Sequence, residues 1–249
     1  MTTTSADVAL VTGANKGLGR EIARQLADLG LRVYLGARDE TRGGTAAGEL
    51  AAAGGDVRFV RLDVTDAGSV AAAVAVIEAE SGRLDVLVNN AGVSSEIGIA
   101  VPDITADQMR ATYEVNVFGV VTVTAACIPL LRRSANGRIV NVSSRLGSLT
   151  ALSAEDSRQR KLGALTYSSS KAALNVLTLL YSEALRADGI QVNSVTPGRV
   201  PTDINAATDR RGERTPAEGA AAPVHLATLA PGTMTGAFRG AAIDESPGW

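Results

Sequence analysis

Hydrophobic positions follow two patterns that alternate along the chain: short runs that are apolar throughout, and longer stretches with an apolar stripe. Residues 8–11 form a run of the first kind, which is typical of a strand covered by helices on both faces. The next stretch carries Leu18, Ile22, Leu26 and Leu29 at spacings of four, four and three, which predicts a helix with one buried face. The chain therefore opens with a strand followed by a helix.

The same alternation continues to residue 195. Further strands are predicted at 32–35, 57–62, 84–88, 138–142 and 190–195, and helices at 41–53, around 70–77, at 105–133 and at 167–187. Repeated units of this kind predict an α/β fold with a doubly wound parallel sheet, Rossmann-like. Because no linker-like tract divides the chain, a single domain over residues 1–249 is expected, with a substrate loop or lid at about 198–219.

Composition narrows the possible function classes. The 249 residues are 45% hydrophobic and 20% charged with a net charge of −2, as in ordinary globular proteins. The lack of a basic stripe and an aromatic content of 3% argue against a nucleic-acid partner. Interrupted apolar runs and a polar N-terminus argue against a membrane span and a signal peptide. Cys127 is the only cysteine and His225 the only histidine, so the sequence predicts no internal disulfide, no metal site and a cytoplasmic location.

A glycine-rich turn separates the first strand from the first helix. Gly13, Gly17 and Gly19 have the spacing G-x-x-x-G-x-G and enclose Asn15 and Lys16. Glycines let backbone approach a phosphate closely, and the start of the helix offers free N–H donors to it. A plain strand–helix turn would explain the glycines alone, but their position after the first strand favours a dinucleotide site.

Arg38, after the second predicted strand, bears on the choice of cofactor. A carboxylate in this region usually binds the ribose of NAD, whereas a guanidinium can bind the 2′-phosphate of NADP. Arg38, helped by Asn15 or Lys16, therefore predicts NADPH/NADP. The alternative is an arginine that faces solvent, and the neighbouring Asp39 opposes a phosphate.

The candidate catalytic residues are a tyrosine, a lysine and a serine. Tyr167 and Lys171 are four residues apart, so a helix places them on one face, where an ammonium can stabilise a phenolate. Such a pair also occurs by chance. Ser144 ends the fifth predicted strand, where its hydroxyl could bond a substrate carbonyl or merely cap a turn, and Ser143 is its competitor.

Together these pieces resemble the short-chain dehydrogenase/reductase family from end to end. The matching positions are Thr12-Gly13-x-x-x-Gly17-x-Gly19, Asp63-Val64, Asn89-Asn90-Ala91-Gly92, Asn116, Ser143-Ser144, Tyr167-x-x-x-Lys171 and Asn193-x-x-x-Pro197-Gly198-x-x-x-Thr202. The resemblance implies that Ser144 is catalytic, that Tyr167 donates the proton, and that Lys171 binds the nicotinamide ribose and lowers the pKa of the tyrosine.

The resemblance also implies the roles of further residues. Asn116 would hold a relay water, Asp63 and Val64 would contact the adenine, Asn90 the ribose region and Thr202 the carboxamide. The remaining expected cofactor contacts are Leu18, Ala91, Gly92, Pro197, Gly198 and Val200.

Finer features are similar to the carbonyl-reductase branch of the family. These include Asn15-Lys16, Ala37-Arg38-Asp39 and the terminal Trp249. From Ser144 to Tyr167 is 23 positions, more than in most members, and the extra residues at about 153–163 resemble an insertion of monomeric carbonyl reductases. A monomer and a homo-oligomer are both compatible with this segment.

The predicted activity is NADPH-dependent reduction of a ketone, aldehyde or quinone by hydride transfer. Two alternatives stay open: an alcohol dehydrogenase that works in the oxidative direction, and an NADP(H)-binding sensor on the same fold. The only predicted partner is a small-molecule carbonyl substrate, with no nucleic acid and no membrane.

Overall fold

The computed structural model describes residues 6–96, 98–201 and 214–249. In these parts of the chain, seven strands form one parallel sheet in the order β3-β2-β1-β4-β5-β6-β7. The strands are β1 Val8–Thr12, β2 Arg32–Ala37, β3 Val57–Arg61, β4 Val86–Asn89, β5 Arg138–Val142, β6 Gln191–Val195 and β7 Phe238–Arg239. The helices are α1 Gly17–Asp28, α2 Glu40–Ala52, α3 Ala67–Ser81, α4 Ala106–Tyr113, α5 Gly119–Leu131, α6 Leu149–Ser153, α7 Arg158–Lys161, α8 Leu165–Ala184 and α9 Pro216–Ala227.

Helices cover both faces of the sheet. One core cluster joins the sheet to α1, α2 and α9 through side chains such as Ile22, Leu50 and Leu226. A second cluster on the other face includes Ile77 of α3 and Leu130 of α5. The predicted doubly wound α/β fold is therefore confirmed, since buried strands with both faces covered are its defining feature.

The strand order reverses at β1, which pairs with β2 on one side and with β4 on the other. Ligands of such sheets bind in the crevice at the carboxyl ends of the strands where the order reverses. The glycine-rich turn follows β1, and the segment 90–96 follows β4. The fold thus brings both segments to the same crevice.

The predicted long helix at 105–133 contains an irregularity. Helix α4 passes into α5 through a π-helical turn, Glu114–Phe118, and Pro129 lies inside α5. Such π turns often occur at functional sites, and this one contains the buried Asn116. Among the described residues, Ala106–Leu131 is the one run long and apolar enough to cross a membrane by length and composition, and half of its most apolar window is buried.

The chain after residue 195 differs most from the sequence-based expectation. The short strand β7 is not among the predicted strands, and α9 begins at Pro216, inside the segment 198–219 where a loop or short helices are expected. A capping box of Thr215 and Glu218 explains that start. Residues 202–213, which include Thr202 and most of the expected lid, lie outside the described residues. The extra residues at 153–163 contain α7.

Candidate active site

The turn after β1 combines a tight backbone approach with an open helix start. Gly13 has φ +63°, and a Cβ there would lie 2.9 Å from the Cα of Ala91, so only glycine fits beside the segment after β4. Gly17 has φ +54°, and a Cβ added there would meet no atom within 4 Å. Lys16, at the N-cap of α1, makes no side-chain cap hydrogen bond. No side-chain cap thus occupies the start of α1, and a helix start of this kind suits a phosphate.

Asn90 holds this turn in shape. Its Nδ2 donates to the carbonyl of Thr12 at 2.9 Å and to that of Gly13 at 3.2 Å. The Thr12 hydroxyl accepts the backbone N–H groups of Asn90 and Ala91, each at 3.0 Å. A Cβ on Gly19 would overlap Asn90 Nδ2. Asn90 thus supports the phosphate turn, and its predicted contact with the ribose stays a prediction.

A cavity of about 260 Å³ lies beside the turn. Its lining consists of Asn15, Lys16, Arg20, Thr41, Arg42, Thr45, Ala46 and Glu49. Glu49 is ion-paired with Arg20 at 2.7 Å, so the lining carries an excess of positive charge. The position and charge of the cavity fit the 2′-phosphate end of a dinucleotide.

Arg42 is a residue of this cavity to which the sequence analysis assigned no role. Asp39 is the N-cap of α2, where it accepts the backbone N–H of Arg42 at 2.9 Å and pairs with its Nε at 2.7 Å. The hydrogen bonds from Arg42 lower the pKa of Asp39. The acidic neighbour of the predicted phosphate site is therefore paired. Arg38 is exposed, and no hydrogen bond or ion pair joins its guanidinium to the described residues.

The two serines at the end of β5 face different surroundings. Ser143 is buried, and its hydroxyl donates to Asn175 Oδ1 at 2.7 Å, so it belongs to the core. Ser144 is partly exposed, and its hydroxyl is near enough to that of Tyr167 to lower the pKa of the phenol. It also accepts the N–H of Leu146 at 3.2 Å. Ser144 therefore caps the turn and also faces Tyr167.

Tyr167 and Lys171 lie one turn apart on α8. Lys171 is buried, its Nζ donates to the carbonyl of Val142 at 2.8 Å, and it lies 5.6 Å from the centre of the Tyr167 ring. Burial raises the pKa of Tyr167 to about 12, against the opposing effect of the nearby Ser144 hydroxyl. Burial lowers the pKa of Lys171 to about 8. The phenol therefore keeps its proton at neutral pH, and the lowering of its pKa by Lys171 stays a prediction.

Asn116 joins the segment after β4 to α8. Its Oδ1 accepts the N–H of Val93, and its Nδ2 donates to the Val93 carbonyl and to Ser170 Oγ, each at 2.9 Å. A Cβ on Gly92 would lie 3.4 Å from Asn116 Oδ1 and 3.5 Å from Lys171 Nζ. The side chain of Asn116 is thus bound to protein groups close to Lys171, and the relay water stays a prediction.

Most of the other expected cofactor residues lie just after β3 and β6. Asp63 Oδ1 accepts the N–H of Thr65 at 3.0 Å. Val64 packs closely on Gly119, since a Cβ on Gly119 would lie 2.8 Å from Val64 Cγ2. Gly198 has φ +80° and follows Pro197, while Val200 is buried against α9. Leu18 is buried in α1.

Glu96 is a residue of this region that no pattern in the sequence marks. This glutamate follows β4 and is buried, and its carboxylate accepts the backbone N–H groups of Thr166 and Tyr167. A single glutamate in a polar loop gives no pattern that would distinguish it from a solvated charge. Among the residues that the structure describes, no group of His, Cys, Asp and Glu side chains could hold a metal ion.

Comparisons with known proteins agree with this geometry. A family model described as short chain dehydrogenase matches residues 7–212. Short-chain dehydrogenase/reductase 1 of Saponaria officinalis is 37% identical over 92% of both chains. Carbonyl reductase [NADPH] 1 of Homo sapiens is 34% identical over 90% of this chain and 91% of its own. The structure of NADPH-bound carbonyl reductase from chicken fatty liver matches with a TM-score of 0.85 and 29% identity, over 98% of this chain and 99% of its own.

Proposed function

The chain belongs to the short-chain dehydrogenase/reductase family, and on that premise we propose that it reduces ketone, aldehyde or quinone carbonyls with NADPH, Tyr167 being the proton donor. The observation that carries the proposal is the buried ammonium of Lys171, held by the Val142 carbonyl at 5.6 Å from the centre of the Tyr167 ring, with the Ser144 hydroxyl near the phenol. These three groups lie at the carboxyl end of the sheet, the side on which the glycine-rich turn could receive a dinucleotide.

The preference for NADPH is supported by the positive cavity beside the turn. Arg42 and Lys16 line it, and the exposed guanidinium of Arg38 follows β2. The ion pair with Arg42 offsets the charge of Asp39, which would otherwise repel a 2′-phosphate. Relatives that carry NADPH in their names support the same choice.

The reaction needs a hydride and a proton. When bound, NADPH supplies the hydride to the carbonyl carbon. The hydroxyls of Ser144 and Tyr167 bind the carbonyl oxygen, and Tyr167 gives its proton to that oxygen as negative charge develops there. Because the pKa of the phenol is about 12, Tyr167 holds this proton throughout the neutral range.

Lys171 acts on the phenolate that Tyr167 becomes when it gives up its proton. Its ammonium, 5.6 Å from the centre of the tyrosine ring, stabilises the phenolate electrostatically until a new proton arrives. With a pKa of about 8, most Lys171 side chains are charged at pH 7. The bond from Nζ to the Val142 carbonyl fixes the ammonium in this position.

The test is a panel of ketones, aldehydes and quinones assayed in parallel with NADPH and NADH, with kcat/KM as the readout. We expect NADPH oxidation with at least one class of carbonyl, and a kcat/KM lower by at least about tenfold with NADH. Tight NADPH binding without oxidation by any carbonyl would favour a sensor. Turnover only of alcohols with NADP would favour an oxidative dehydrogenase.

A further inference from the structure

Glu96 binds the first turn of α8 with both carboxylate oxygens. Its Oε2 accepts the N–H of Thr166 at 2.7 Å, and its Oε1 accepts the N–H of Tyr167 at 2.9 Å. The residue is only 5% exposed, so water does not replace these bonds easily. A glutamate from the segment after β4 is therefore anchored at the backbone of the tyrosine itself.

The start of α8 has no cap of its own. Ala164 occupies the N-cap position and offers no side-chain acceptor, while the first amides of any helix have no partner within it. A carboxylate is favoured there both by its hydrogen bonds and by the positive end of the helix dipole. Glu96 thus supplies from a distant part of the chain the acceptor that the local sequence lacks.

A chain of hydroxyl groups holds the Glu96 segment in place. The Ser95 hydroxyl donates to the carbonyl of Gln108 at 2.6 Å and lies 2.6 Å from Thr112 Oγ1. Thr112 Oγ1 in turn lies 3.0 Å from Thr166 Oγ1. The segment after β4, α4 and the first turn of α8 therefore form one connected unit.

We propose that Glu96 is a positioning residue for Tyr167, an inference that rests on the proposed function. Tyr167 is the third residue of α8, in the turn where helices fray unless capped. The direction of its side chain follows the backbone of that turn, and the phenol must reach Ser144. By fixing the turn, Glu96 keeps the proton donor aimed at the carbonyl oxygen.

The test uses the variants Glu96→Gln and Glu96→Ala. Glutamine is nearly isosteric but turns a donor toward one of the two amides, and alanine removes both acceptors. We expect kcat to fall at least about tenfold in both, since small misplacements at a reacting centre are costly. The Kd for NADPH should stay within about twofold, because the phosphate turn is untouched.

Asp66→Ala is the matched control. Asp66 Oδ1 also accepts two backbone amides at a helix start, those of Gly68 at 2.9 Å and Ser69 at 3.2 Å, but on α3. This variant should lower the melting temperature while leaving kcat unchanged. A kcat within about twofold of the wild type in both Glu96 variants, or an equal loss of kcat in Asp66→Ala, would overturn the proposal.

Hydrogen exchange separates this proposal from the proposed function. In Glu96→Gln and Glu96→Ala, the amides of Thr166 and Tyr167 should exchange faster than in the wild type, whatever the activity. If the wild type is inactive but the two variants still exchange these amides faster than it does, the reductase activity is refuted and the capping contact is retained. Unchanged exchange at both amides would refute the positioning role.

Discussion

At the residue scale, the proposed chemistry depends on a partly buried tyrosine and a buried lysine whose charged forms are both disfavoured. Burial raises the pKa of Tyr167 to about 12 and lowers that of Lys171 to about 8. A neutral phenol beside a mostly protonated lysine is the state that carbonyl reduction requires, because the phenol has a proton to give and the ammonium can stabilise the anion left behind.

We expect Lys171 to make the free energy of unfolding depend on pH. Between pH 8 and 10 the unfolded chain, with an ordinary lysine pKa of 10.5, binds more protons at this position than the folded protein. The contribution of Lys171 to the free energy of unfolding should therefore rise by about 2 kcal/mol over this window and be absent in Lys171→Met. Above pH 10 the raised pKa of Tyr167 acts in the opposite direction. Urea titrations of both proteins measure the difference; parallel pH curves would contradict the buried, depressed lysine.

Arg42→Ala should weaken NADPH binding about 10- to 100-fold and leave NADH binding almost unchanged. The variant removes a cation from the cavity and also unmasks Asp39, whose carboxylate then repels the 2′-phosphate. Arg110→Ala is the control, since Arg110 pairs with Asp107 on the exposed face of α4. Calorimetric Kd values for both cofactors test this. An equal loss for NADPH and NADH would show that Arg42 does not bind the phosphate.

Single residues differ in how far the sequence predicts them. Helical spacing predicts that Tyr167 and Lys171 lie together, and the strand end predicts that Ser143 or Ser144 faces the crevice, whereas the choice of Ser144 and the catalytic roles come from the resemblance to the family. Glu96 is not predicted, because its partners are 70 and 71 residues away and its burial depends on the packing of three elements. The role of Arg42 is not predicted either, because the sequence does not show that this arginine on the surface of α2 lines a cavity.

At the scale of elements, the turn after β5 is packed directly on α8. A Cβ on Gly147 would lie 2.5 Å from the carbonyl carbon of Lys171, which is a backbone atom and cannot rotate away. This close approach holds the turn that starts at Ser144 against the helix that carries Tyr167 and Lys171. The distance between the serine and the tyrosine is therefore set by the contact of two elements.

Two glycine-to-alanine variants should have opposite effects. Gly147→Ala should lower the free energy of unfolding by about 1–3 kcal/mol and reduce kcat, because the turn must move away from α8. Gly48→Ala, in the interior of α2 with nothing within 4 Å of the new Cβ, should raise it by about 0.5–1 kcal/mol without affecting kcat. Chemical denaturation and a standard assay test both. An unchanged Gly147→Ala enzyme would contradict the close packing.

Elements are predictable where hydrophobic periodicity dominates. The predicted strand at 138–142 coincides with β5, and most other strands differ from the prediction by one or two residues at an end. The π turn at Glu114–Phe118 is not predictable, because it keeps the helical apolar pattern and adds only one residue per turn. Strand β7, two residues long, is too short for any alternation to appear.

At the scale of the whole molecule, the site is formed at the reversal of strand order beside β1. Segments far apart in sequence meet there: the turn after β1, the segment after β4, the turn after β5 and the start of α8. The sequence predicts parallel strands, but their spatial order depends on long-range pairing that hydrophobic patterns do not encode.

A ligand that bridges these segments should stabilise the whole fold. At about 100 times its Kd, NADPH should add about 2.7 kcal/mol to the free energy of unfolding. For a chain of this size the melting temperature should then rise by about 5–10 °C. NADH at the same concentration should give a smaller rise. Thermal scans with each cofactor test this, and equal shifts would contradict the preference for the 2′-phosphate.

The measurement that tests the central claim most directly compares Tyr167→Phe with the wild type in turnover and in NADPH binding. Removal of one hydroxyl leaves the phosphate turn intact, so the Kd for NADPH should stay within about twofold, while kcat should fall at least about 100-fold. Tyr181→Phe, a partly buried tyrosine on the same helix, is the matched control and should keep full activity. A Tyr167→Phe enzyme with near-normal kcat would contradict the assignment of Tyr167 as the proton donor.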